Sequence, residues 1–444
     1  MRHWFRDQHF RSLLKNSSYL AVSRIVAAIA WVATLSLAAH GLGVVLFGTL
    51  VLITSYVRAA SGLSKFQSWQ LIVRYGGQAL AHGSAEEFKA STGFAFALDV
   101  ISGIGGMLIA VAVLPLIAGW VGISSNLLWL AMLYCTALPT MSAATPTGTL
   151  RALDRFDLIS WQGTATPITR AVLCAVAYVL AAPFVAYVAI WYVTDVAGDL
   201  YFWFLAWREL RREGLLEGIR PTLTPTSLPG AWRFAIQINL TASLETAWGP
   251  IARLVLGGLL GPAGAGLFRV AATLADSAQK PADLLAKAFY PEIVRMDLKS
   301  RKPWRLMLRG TVLASGVALI AILIVLLGGK PIVGLLFGKA FLGAYDALVI
   351  LMLIPFLGVF SFPLPPMLLA LDRPDGPLKA RLVGTIVYFL IVAPLSWRFG
   401  VMGAAVAFVI GHAALVATLM LLVWAEYRRV RPAHAASLNS SQPR

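Results

Sequence analysis

The chain has 444 residues, of which 59% are hydrophobic and 13% charged. Soluble domains run near about 45–50% and about 25%, so most of this chain requires an apolar solvent and no sizeable soluble domain fits beside it. The net charge of +17 is accounted for by the gathering of Lys and Arg on the cytoplasmic side of a membrane protein, without a role for nucleic acid.

Residues 1–16 mix Trp4, Phe5, Phe10, Leu13 and Leu14 with Arg2, Arg6, Arg11 and Lys15. That mixture suits a helix lying on the membrane surface, and equally an ordinary basic flank. Twelve apolar runs follow, at 17–40, 42–62, 91–119, 126–150, 158–181, 183–206, 231–258, 263–289, 306–328, 345–371, 381–398 and 401–425. Each is long enough to cross a hydrocarbon core of about 30 Å. Helices are required, because backbone groups in hydrocarbon must bond within their own segment. The expected architecture is an all-α polytopic membrane protein. It has a cytoplasmic or interfacial segment at 1–16, a six-helix bundle over 17–206, a cytoplasmic linker at 207–230, a second six-helix bundle over 231–425 and an unstructured cytoplasmic tail at 426–444. Cys135 and Cys174 lie inside apolar runs with no CxxC pattern and read as packing residues.

Placing the N-terminus inside puts 29 of the 37 Lys and Arg residues on cytoplasmic segments and only Lys330, Lys339 and Arg398 on outer loops. This bias fixes both termini inside and supports an even number of spans. The outer loops are short, and only 329–344 has any length. A repeat is also visible: Leu42-Gly43 opens span two and Leu260-Gly261 opens span eight, at an offset of 218. Two halves of six spans would then be parallel repeats.

The five remaining basic residues, Arg24, Arg170, Arg253, Arg269 and Lys280, lie within spans. A charge in hydrocarbon costs about 2.5–3.5 kcal/mol even on the mildest scale, so such groups are kept where they face a cavity or a partner. In span eight, Arg269, Asp276, Lys280 and Asp283 fall on one side of a helix. That stripe reads as a wall of a hydrophilic passage, or as an internal Asp276–Lys280 pair that locks packing. Arg24, early in span one, can snorkel to the inner interface. Arg170, near the middle of span five, has Asp195 and Asp199 of span six as candidate partners, and those two carboxylates could instead bind a cation. Several arginines in one cavity favour an anion, phosphate above all, because guanidinium forks match its oxygens. Asp99, Glu245 and Asp276 are candidates for carrying a coupling ion. The sequence has no P-loop, HExxH, GxSxG or metal-ligand cluster, so no cofactor or metal is expected, nor ATP-driven transport by this chain alone, nor hydrolytic chemistry.

Four segments resemble one family: HGLGVVLFGTLVLI (40–53), LLGPAGAGLFRVAATLADSAQKPADLLAKAFYPEIVRM (259–296), GKPIVGLLFGKAFLGAYDALVIL (329–351) and GVMGAAVAFVIG (400–411). They resemble the Wzx-type flippases of polysaccharide biosynthesis, in the superfamily that also holds multidrug exporters and lipid II flippases. The resemblance implies twelve helices in two bundles around a cationic central cavity. It also implies an inner-membrane protein that moves a polyprenyl-pyrophosphate-linked oligosaccharide to the outer leaflet for O-antigen, capsule or exopolysaccharide synthesis. A polymerase and a chain-length regulator would be its partners, alongside membrane lipids. Arg24 and Arg269 occupy places where related flippases carry arginines. The first half departs from this pattern, since Val51 stands opposite Arg269. On this reading Arg24, Arg269, Arg170, Arg253 and Lys280 hold the anionic headgroup. A multidrug exporter of the same superfamily is the alternative, although its cationic cargo calls for an acidic cavity. A membrane polysaccharide polymerase is a more distant one, because the 329–344 loop has no carboxylate.

Overall fold

The computed structural model describes the backbone of residues 8–225, 227–294, 302–370, 373 and 375–440. Side chains are described over 23–225, 227–239, 242–244, 246–279, 315–316, 318–359, 361–365, 367–368, 373 and 375–426. Among these residues the chain is helical throughout, with no strand. It forms two compact units, 1–258 and 259–444.

In the first unit the helix Gln8–Ser64 takes a backbone conformation at Gly43 (φ 68°, ψ 177°) that is essentially reserved for glycine. There the chain doubles back. Arg58 lies 5.4 Å from the Trp31 ring, whereas 27 residues of straight helix would separate the two by about 40 Å. One continuous helix thus supplies spans one and two with no loop between them. Span three is Ala85–Val121, closed by Gly122 in the left-handed conformation (φ 89°) that ends many helices. Span four is broken into Leu128–Cys135, Leu138–Met141 and Ala144–Ala152, with a 45° bend between Ser125–Cys135 and Leu138–Ala152. Spans five and six are Phe156–Val179 and Phe184–Arg212, of 24 and 29 residues. At 1.5 Å per residue the shorter is about 36 Å long, enough to cross. They are less apolar than their neighbours because they carry Arg170, Asp195 and Asp199.

Span seven was expected to open the second bundle, but it packs into the first unit. A Cβ on Gly62 of span two would sit 2.3 Å from Thr246 Oγ1, one on Gly257 2.4 Å from a Leu52 methyl, and one on Gly258 2.6 Å from the Trp120 ring. These glycines let the backbones close, so the compact division falls after Gly258 and not in the 207–230 linker.

In the second unit the helix Ala252–Val294 repeats the first reversal at Gly261 (φ 70°, ψ −179°), 218 residues after Gly43 and with nearly the same dihedrals. A third glycine, Gly400 (φ 59°, ψ −136°), interrupts Gly376–Ser440. The rings of Tyr388 and Phe408 on either side of it meet edge-on at 5.4 Å, where 20 residues of straight helix would span about 30 Å. Span nine is Lys302–Phe337, and span ten runs from Lys339 through Tyr345–Leu351 and Leu353–Ser361 to Leu364–Ala370. Leu364, Met367, Leu368 and Ala380 pack with Leu419 and Val423 in its core. Side chains such as Leu116 and Leu335, each 82% exposed, stand outward on the span surfaces, where lipid replaces water.

Two expectations change. The 329–344 segment is no open loop: helix Lys302–Phe337 runs through most of it, and a tight turn at Lys339–Ala344 completes it. The tail is helical to Ser440, in keeping with its content of Ala, Glu and Arg, which are strong helix formers. Residues 8–16 continue directly into span one, while 1–7 lie outside the described residues.

Candidate functional site

Arg170 is the most deeply placed of the span arginines, at 3% exposure. Its Nε–H donates to Thr194 Oγ1 at 2.7 Å, and its guanidinium pairs with Asp195. The other Asp195 oxygen accepts the Tyr134 hydroxyl at 2.6 Å. The rings of Trp191 and Trp31 lie 5.5 and 5.8 Å from the guanidinium. Spans one, four, five and six therefore meet on one satisfied ion pair. It is the pairing anticipated between span five and the carboxylates of span six. Asp199, one turn beyond Asp195, lies in the field of Lys65, Arg170 and Arg58.

The polar surface continues across the unit. Arg58 faces Trp31 on the ring that Arg170 also approaches. One turn before Arg58, Ser55 Oγ accepts a hydrogen bond from Arg253 Nε at 2.8 Å. Arg170 and Arg253 are thus linked by residues that sequence reasoning assigned to packing or to a cytoplasmic flank. Arg58 was counted with the cytoplasmic flank although it falls within the span read at 42–62; the helix runs to Ser64.

Arg24 is exposed and acts electrostatically on Arg151, at the cytoplasmic end of span four. Arg151 lies 4.1 Å from the Trp69 ring, and its Nε is buried with no hydrogen-bond partner. Arg24 acts on Arg151 as a like charge, and the Arg151 Nε–H is turned away from water. An anion would relieve both. Arg151 was also read only as topology charge, and nothing in its spacing distinguishes it from such a flank.

Asp99 is 1% exposed and accepts hydrogen bonds from Ser68 Oγ and from the backbone N–H of Thr145 at 2.7 Å. Thr145 stands in the first turn of Ala144–Ala152, so the carboxylate caps a helix supplied by another part of the chain. In the second unit, Arg269 is half-buried and Asp276 exposed. Thr273 Oγ1 donates to the Arg269 carbonyl and Ser277 Oγ to the Thr273 carbonyl, each at 2.8 Å. The span-eight stripe is thus partly present in Arg269, Thr273, Asp276 and Ser277. The side chains of Lys280, Asp283 and Glu245 lie outside the described residues. No group of three or more metal-ligating side chains occurs among the described residues.

The fold is that of a polytopic helical membrane protein with paired glycine reversals. The family model described as polysaccharide biosynthesis protein matches residues 13–297, and the chain belongs to that family. It is 39% identical over 348 residues to the inner membrane protein YghQ of Escherichia coli strain K12, covering 78% of this chain and 98% of that one. Among solved structures, the lipid II flippase MurJ in an inward closed conformation aligns with TM-score 0.70 and 12% identity over 93% of this chain and 89% of that one. An outward-facing multidrug resistance MATE family transporter of the MOP superfamily aligns with TM-score 0.63 and 16% identity over 95% and 96%. At these identities the solved structures establish the shared fold.

Proposed function

We propose that this protein is a flippase of the bacterial inner membrane that moves a polyprenyl-pyrophosphate-linked oligosaccharide to the outer leaflet for the synthesis of a surface polysaccharide. The observation that carries this reading is the Arg24–Arg151 pair at the cytoplasmic side, with a buried Arg151 Nε that has no acceptor. A pyrophosphate supplies both the charge and the acceptors that this pair lacks. Arg253 in the first unit, and Arg269 and Lys280 in the second, are further candidate headgroup-binding residues. Arg170 is matched by Asp195 and belongs to the frame of the cavity. Asp276 and Glu245 remain candidates for ion coupling; Asp99 is a weaker one, since its oxygens already cap a helix. A polymerase and a chain-length regulator would receive the product outside.

A cation-exporting function, as in drug efflux, is disfavoured by this same arginine pair. The test is transport of the fluorescent or radiolabelled lipid-linked sugar in proteoliposomes. Arg24→Ala and Arg151→Ala each lower transport at least tenfold, while Arg151→Lys, which keeps the charge and loses the fork, retains an intermediate rate. Undiminished transport in both alanine variants would remove the proposed headgroup site. Cationic-drug efflux with no lipid-linked sugar transport would replace the reading altogether.

A further inference from the structure

At the cytoplasmic end of the first unit lies a groove of about 240 Å³ whose lining carries no charged side chain. Phe96, Trp203 and Leu210 of the bundle form one wall, and Leu216, Ile219 and Pro221 of the linker form the other. Phe96 and Trp203 meet edge-on at 5.5 Å. Two hydroxyls in this lining are unaccounted for: those of Thr145 and Thr149, in residues 4% and 0% exposed, have no hydrogen-bond partner. A buried hydroxyl left in that state is costly, so an occupant with an acceptor oxygen is favoured.

The mouth of the groove shows which occupant. Trp207, 43% exposed, stands at its rim, a usual position for tryptophan at the membrane–water boundary. Arg211 lies over the Trp207 ring at 5.6 Å. On the linker side, exposed Arg220 adjoins exposed Pro221. Of the acids nearby, Glu209 is buried against Arg155, and Glu213 and Glu217 are exposed on the linker. An apolar slot opens beside Arg211, with Arg220 next to its linker wall.

We propose that this groove binds one acyl chain of an anionic phospholipid of the cytoplasmic leaflet. The phosphate lies between Arg211 and Arg220, and the ester carbonyl supplies the acceptor that Thr149 lacks. The lipid bridges the bundle wall to Leu216, Ile219 and Pro221, and so clamps the segment that joins span six to span seven. This site is separate from the Arg24–Arg151 pair, and its occupant is not the transported molecule.

Native mass spectrometry of the full-length protein in detergent tests this, with phosphatidylglycerol and phosphatidylethanolamine as competing probes. Wild type retains one phosphatidylglycerol with a preference of about tenfold, the scale set by two arginines at an anionic headgroup. Ala206→Trp fills the groove and loses the lipid. Arg211→Gln with Arg220→Gln changes only exposed positions and abolishes the preference. Equal retention of the two lipids by wild type would overturn the site, as would an unchanged preference in the double glutamine variant. A co-purifying polyprenyl phosphate displaced by these same substitutions would overturn its assignment to a phospholipid.

Discussion

Arg170 and Arg151 carry the same side chain in opposite conditions. Arg170 has a carboxylate, a threonine oxygen and two indole faces; Arg151 has an indole, a repelling arginine and an unmet N–H. Removing one member of a buried pair strands the other's charge, so Arg170→Ala costs about 3 kcal/mol or more. Replacing both Arg170 and Asp195 by Leu recovers most of that loss. Thermal unfolding of the detergent-purified variants reads both effects, and an Arg170→Ala protein as stable as wild type would show that the pair holds nothing. The pairing of Arg170 with Asp195 was legible in the sequence, because a charge in mid-span must be compensated and span six offers carboxylates. The state of Arg151 was not legible. A basic residue closing a span looks the same whether it faces bulk water or waits for an anion, and only the position of Arg24 and Trp69 separates the two. The partner of Asp99 was equally hidden: its carboxylate accepts from the backbone of Thr145, a residue 46 positions away.

The glycine reversals govern the helices. Gly43 and Gly261 share dihedrals within a few degrees, which turns a short sequence match at half-chain offset into the same local structure made twice. The repeat was readable because only glycine fits that conformation. A Cβ there costs about 1–3 kcal/mol. Open space surrounds each of these positions, so the cost is backbone strain and not a clash. Gly43→Ala and Gly261→Ala both lower the melting temperature, and Gly43→Asn gives no rescue, because asparagine tolerates the left-handed helical region and not an extended ψ. Rescue by asparagine would mean a different turn in solution. The place of span seven was less legible. Its glycines Gly257 and Gly258, with Gly62 opposite, read as ordinary membrane-helix small residues until their contacts with Leu52, Trp120 and Thr246 are seen.

At the scale of the whole molecule, composition and the distribution of Lys and Arg already specified twelve spans with both ends inside, because hydrophobic length and topology charge are properties of segments. The division into 1–258 and 259–444 was not readable, because it depends on which backbones approach closely. The topology has a consequence that can be measured in oriented vesicles. Trypsin at the cytoplasmic face meets exposed Arg211, Arg212 and Arg220 in the linker and cuts the chain into two membrane-held parts. Trypsin at the outer face meets Lys330, Lys339 and Arg398 inside helix and tight turn and leaves it intact; outer-face cleavage at the linker would reverse the orientation. Three of the outer connections are single glycines that turn a helix back on itself. A protease acting from the outer side therefore finds almost no free chain to grip.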